Sequence, residues 1–225
     1  LLGVEELSDA TAKILSKIQG GLYLNGIKEL SDSAIESISN IQGPLSLGLI
    51  ELCDSASQAL SKHQGHLELG RLGHLSKVSA ESLSKHQGGL GLSGVEEIRD
   101  STIESISKIQ GDLSLGIEEI SDSAAESLSK HKGGLKLGRT YELSVTAAEY
   151  LSRHQGKING TDPKEWVESL LDLNELTELS DAAAEFLSKY QGGLVLNGLT
   201  ELSDAAAKSL SKHQGSLILG LTELS

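Results

Sequence analysis

Methionine is absent from these 225 residues, and cysteine, tryptophan and phenylalanine occur once each. With aromatics at 3%, any core must be built from Leu, Ile, Val and Ala. The single cysteine, Cys53, rules out an intramolecular disulfide framework and a cysteine-rich zinc site. It stands where equivalent stretches carry serine, and reads as a serine substitute. Two prolines against 25 glycines fit regular elements cut by glycine turns, not proline-rich disorder. Positive charge is also scarce. Nineteen Lys and Arg face 32 Asp and Glu, a net charge of −13, which opposes nucleic acid and anionic membrane surfaces. No apolar run approaches the roughly 18 residues of a membrane span, so no membrane insertion is expected. The chain opens mid-repeat on "LLGVEELSD" without a methionine and is expected to come from something longer.

What is present is repetition. Cutting after the glycine that closes each motif gives units beginning at Gly21, Pro44, His66, Gly89, Asp112, Gly134, Leu170, Gly193 and Ser216. Residues 1–20 form a partial unit, and so does the last segment. The common pattern is x-L-x-L-x-G-L-x-x-L-S-D-x-A-A-E-x-L-S-K-H-Q-G, and residues 21–88 and 89–156 align as duplicated three-unit cassettes. The reading is one repeat array over 1–225, of about nine units with partial ends.

Within a unit the hydrophobic period changes. "GLYLN" alternates, which predicts a short strand with Leu22 and Leu24 inward. "ELSDSAIESISNIQG" then takes helical spacing, with Leu30, Ala34, Ile38 and Ile41 on one face. Ser31 is the expected N-cap and Asp32 suits the first turn. Gly43 is expected to end the helix as its left-handed C′ residue. Stacked units would form a parallel sheet on one side and helices on the other. Strands pair at roughly 4.8 Å and helices pack at roughly 8–10 Å, which predicts curvature with the sheet inside.

Carried on these motifs, the chain resembles the leucine-rich repeat proteins, especially a bacterial subgroup with units like "LSDAAAEFLSKYQGGLVLNGLTEL". The resemblance implies an α/β solenoid with a parallel sheet on the inner face and short helices on the outer face. It also implies a non-catalytic binding scaffold, and leans towards a cell-surface or secreted location. The chain departs from the usual pattern after the strand, where the asparagine ladder is replaced by Ile27, Leu49, Leu72, Val95, Ile117, Leu176, Leu199 and Leu221, with Thr140 the exception.

A recurrent column tempts a chemical reading: Ile18, Ile41, His63, His86, Ile109, His131, His154, Tyr190 and His213. A metal ligand or catalytic base would not exchange with isoleucine in one scaffold slot, so the histidine reads as a packing residue. It is expected in the last helical turn, its polar edge meeting water or the final carbonyls. Neighbours roughly 8–10 Å apart would be too far to share a zinc ion easily. The repeated "S-K-H" is too frequent for a nucleophile, and acidic pairs such as Glu118–Glu119 read as solvated turn charge. No nucleotide-binding or zinc-protease motif occurs, and no cofactor, metal or catalytic residue is expected.

Candidate binding residues lie on the strand face and its rim. The outward strand positions include Tyr23, Ser46, Glu68, Gly91, Ser114, Lys136, Asp172, Val195 and Ile218, and Arg71 and Arg139 lie just past their strands. The insertion "KINGTDPKEWVES" (157–169) carries the only tryptophan, Trp166. Asp162, Pro163 and Glu165 predict a short extra helix there, either binding or sealing the insert onto its neighbours. Among these positions the binding candidates are Tyr23, Glu68, Arg71, Lys136, Arg139 and Trp166. The expected partner is a protein or a glycan, with no nucleic acid. The alternative is a structural component of a surface layer, stalk or filament, assembled by end-to-end self-association.

Overall fold

The computed structural model describes residues 6–95, 98–156 and 170–221. Packing divides the chain into two units, Leu1–Leu115 and Gly116–Ser225. In the first, α1 (Asp9–Leu15), β1 (Leu22–Leu24), α2 (Asp32–Ile38), β2 (Leu45–Leu47), α3 (Asp54–Leu60), β3 (Leu67–Glu68), α4 (Lys77–Leu83), β4 (Leu90–Leu92), α5 (Asp100–Ile106) and β5 (Leu113–Gly116) alternate. In the second come α6 (Asp122–Ser129), β6 (Leu135–Gly138), α7 (Val145–Leu151), β7 (Leu170–Asp172), α8 (Asp181–Leu187), β8 (Gly193–Leu196), α9 (Asp204–Leu210) and β9 (Leu217–Leu219). Within each unit successive strands pair in parallel, leucine on leucine: Leu22↔Leu45↔Leu67↔Leu90↔Leu113 in one, Leu171↔Leu194↔Leu217 in the other. Each unit is therefore an α/β solenoid of leucine-rich-repeat type.

The helices are short, seven residues in α2, where an isolated helix would be marginal. Tertiary packing holds them. Ala34, Ile35 and Ile38 are buried, at roughly 1.5–3 kcal/mol for each large side chain. Leu30, expected on that face, precedes the helix, and Ile35 takes its place. A serine sets the start of every described helix except α3 and α5, which begin after Cys53 and Arg99 without a side-chain cap. Ser31 Oγ accepts the Ala34 N–H at 3.0 Å, and Ser144 Oγ accepts that of Ala147 at 2.9 Å.

The same serines tie neighbouring coils. The hydroxyl of Ser144 donates to Asp122 at 2.7 Å, and those of Ser31 and Ser203 donate to Asp9 and Asp181. Cys53 takes the cap position of α3 without making the cap bond, so as a serine substitute it is incomplete. The apolar ladder forms as expected. Ile27, Leu49, Leu72, Val95, Ile117, Leu176 and Leu199 are buried, and Thr140 donates its hydroxyl to the Ile117 carbonyl at 2.8 Å.

Two expectations are corrected at the helix end. The helix α2 stops at Ile38, with Ser39 as C-cap, five residues before Gly43. The chain then tightens: Ile41 N–H donates to Ile38 O, three residues back, at 3.1 Å. Gly43 is no left-handed stop. A Cβ there would lie 2.6 Å from the Gly20 carbonyl carbon, and a Cβ on Gly88 would lie 2.0 Å from Gly65 O. Gly65, Gly111, Gly156 and Gly215 make the same approach to the glycine of the preceding coil. The column is glycine because backbone meets backbone there.

Candidate binding faces and the buried imidazole stacks

Alternation in the strands sends every second residue away from the leucine core. In the first unit the register lines up Tyr23, Ser46, Glu68, Gly91 and Ser114 on one face. Tyr23 is 58% exposed while Ser46 beside it is 7% exposed, so the phenol stands proud of a small neighbour. Its ring folds back over Gly21, where a Cβ would come within 3.0 Å of the ring edge. Ser46 Oγ donates to Asn25 Oδ1 at 2.5 Å. The Glu68 carboxylate leans over Gly91, its Oε2 only 2.0 Å from where a Cβ would sit, and 3.7 Å from His66 Nε2. Arg71 lies past its strand and donates from Nη1 to Asn25 O at 3.3 Å, two coils back. Tyr23 and Glu68 thus share one face, two strand spacings or roughly 10 Å apart. Arg71 is drawn along the rim.

In the second unit the corresponding face carries Lys136, Asp172, Val195 and Ile218 in register. Lys136 Nζ pairs with Asp172 Oδ2 at 3.6 Å, and Asp172 Oδ1 also accepts the Asn174 N–H at 3.0 Å. Ile218 is 49% exposed. Arg139 has φ 63, a left-handed conformation in a slot that holds glycine at Gly26, Gly94 and Gly198. Trp166 and the insertion 157–169 lie outside the described residues. An asparagine rim was not anticipated: Asn197 Nδ2 donates to Asn174 Oδ1 at 2.9 Å. Its signal in the sequence was the polar residue after L-x-L at both positions.

The histidine column is more buried than the sequence implied. His63, His86, His131 and His154 are at most 2% exposed, so their polar edges do not meet water. They sit past the helix end in the tight turn, not in the last helical turn: His63 N–H donates to Leu60 O and His154 N–H to Leu151 O, both at 3.0 Å. Ring centroids of His63 and His86 are 6.0 Å apart with planes 7° from parallel. In the second unit His131, His154, Tyr190 and His213 stack in sequence at 6.0, 6.3 and 6.5 Å. This spacing falls between those of strands and of helices because the turn joins the two layers. In-plane lone pairs on parallel rings do not converge on one ion, so the closer approach creates no shared metal ligand set.

Burial lowers the pKa of His63 and of His86, the latter also feeling His63. Burial, then the charge that His131 would carry, lowers His154 to about 4. These rings are neutral at pH 7.

No helix among the described residues is long and apolar enough to cross a membrane. No family model matches the chain, and no curated protein matches it. Among solved structures, the crystal structure of an internalin from Listeria monocytogenes aligns with a TM-score of 0.47 and 14% identity, covering 95% of this chain and 71% of that one. The fold rests on this chain's own elements, whose repeating strand–helix units in parallel pairing are of leucine-rich-repeat type.

Proposed function

We propose that residues 1–225 act as a single non-catalytic repeat domain that binds a protein or glycan through its strand faces, with the 157–169 insertion as a second contact. The observation that carries this reading is the file beginning at Tyr23. An exposed aromatic stands beside buried Ser46 on strands whose other side is packed leucine. Such a ring loses little freedom on binding, which is why tyrosine is enriched at interface hot spots. The other binding candidates are Glu68, Arg71, Lys136, Arg139 and Trp166.

The test takes glycan and bacterial-surface protein panels against the immobilised chain, then repeats every hit with Tyr23→Ala and Lys136→Glu. A genuine face ligand loses at least tenfold in affinity with one of the two variants while their melting temperatures hold. Hits indifferent to both variants, and to Trp166→Ala, would sink the reading. Self-association into a layer, stalk or filament is the competing reading. Light scattering over a concentration series separates them, since assembly would raise the mass above 23.7 kDa as concentration rises.

A further inference from the structure

Four histidines of the column, His63, His86, His131 and His154, are buried, stacked in pairs and unused by any binding face. We propose that the stacked pairs His63–His86 and His131–His154 are acid-sensitive latches, closed while the imidazoles are neutral and driven open when protons enter them.

The geometry carries this. His63 Nδ1 lies 3.2 Å from the Ser39 carbonyl, so that nitrogen holds the proton and donates it; Nε2 is then the bare nitrogen, buried with no hydrogen-bond partner. His86 is the reverse: Nε2 faces the Gly89 carbonyl at 3.2 Å, and buried Nδ1 has no partner. A second proton on either ring meets only backbone groups outside hydrogen-bond geometry, and the cost of burying the charge outweighs what they return. At His154 neither ring nitrogen has a partner within hydrogen-bond geometry. Parallel stacking adds the second element. A charged ring stands about 6 Å from the next imidazole of its stack, so the first proton opposes the second.

Few groups face these rings. His63 and His86 meet each other and backbone carbonyls, and His154 meets His131 on one side and Tyr190 on the other. Lys130, Lys132 and Arg153 line an open cleft with His131, and Glu126 and Glu149 pair with Lys130 and Arg153, so the charges beside the second stack are largely balanced. The exposed lysines Lys62, Lys85, Lys189 and Lys212 precede the other column members.

The sign follows from linkage. Folded pKa values below the ordinary 6.5 mean that the unfolded chain takes up protons first as pH falls. Stability is full above about pH 6.5 and drains as pH falls towards about 4, the value for His154. For His154 alone, the unfolding constant at pH 4.5 should be on the order of 50–100-fold larger than at pH 7.5.

The chain supplies its own control, because the same slot holds isoleucine at Ile18, Ile41 and Ile109. The experiment compares urea unfolding of the full chain at pH 7.5 and 4.5 with that of His63→Ile/His86→Ile and His131→Ile/His154→Ile. Wild type should lose most of its stability over this interval, and each double variant should retain part of it. Equal acid losses in all three proteins would assign the effect to carboxylates and overturn the proposal. If a double variant fails to fold, proton NMR of the wild-type histidine rings decides instead. Signals of His63, His86, His131 and His154 that stay neutral until the fold opens support the latch, and titration of these rings near 6.5 in the folded chain refutes it.

Discussion

A methyl group is enough to distinguish the two uses of glycine in this chain. At Gly88 a Cβ would sit 2.0 Å from the Gly65 carbonyl oxygen, and the obstacle is backbone, which cannot swing aside. At Gly73 nothing lies within 4 Å. Gly88→Ala is therefore expected to cost about 2 kcal/mol or more through forced separation of the coils. Gly73→Ala should be neutral or stabilising by up to about 1 kcal/mol. Denaturant midpoints of the two variants measure the contrast, and equal midpoints would contradict it. The sequence located the motif-closing glycines such as Gly88 but could not tell a turn glycine from a contact glycine. That distinction depends on which backbone lies opposite, and the nearest residue is one whole coil away. The histidines were misjudged for the same reason. Their exchange with isoleucine and tyrosine pointed to packing, yet full burial becomes visible only when the neighbouring ring is in place.

Strands and helix starts were readable because their signals are local. Leucines two apart declare a strand, and Ser-Asp before an alanine-rich stretch declares a capped helix. Helix ends were not readable, because "SKHQG" looks like a last turn running into its glycine. The helix instead stops at the serine, whose hydroxyl bonds back: Ser61 Oγ donates to Gln58 O at 2.8 Å. The start of α3 offers a test at this scale. Cys53 fills the cap position without bonding the helix, whereas Ser31, Ser76 and Ser144 bond theirs at 2.9–3.0 Å. Cys53→Ser should raise stability by about 0.5–1 kcal/mol. A denaturant midpoint that does not move would show that the inter-coil contact to Asp32, and not the cap, governs the slot.

Across the molecule, stability is spread thinly. The exposed i,i+4 pairs, Lys77–Glu81, Lys108–Glu104, Lys130–Glu126, Arg153–Glu149 and Lys189–Glu185, contribute only a few tenths of a kcal/mol each. What recurs is leucine on leucine, with glycine against glycine at Gly43, Gly65, Gly88, Gly111, Gly156 and Gly215. If contacts are nearest-neighbour only, a complete coil can be removed without orphaning its flanks. Deleting Pro44–Gly65 brings His66 directly after Gly43 and sets Gly88 against Gly43. The shortened chain should fold with the same helix content per residue, and its urea m-value should fall about in proportion to length. Circular dichroism and urea titration check this; a molten product would mean that coils recognise their specific neighbours.

The glycine contact has a further consequence for how such a chain comes to exist. A junction written in main chain alone says nothing about which coil sits on either side of it. Copying errors that duplicate or drop whole coils therefore leave every seam intact, and the gapless likeness of 21–88 to 89–156 is the kind of record such events leave. Novelty then collects where no seam constrains it, on the outward strand positions, which are free to diverge one coil at a time.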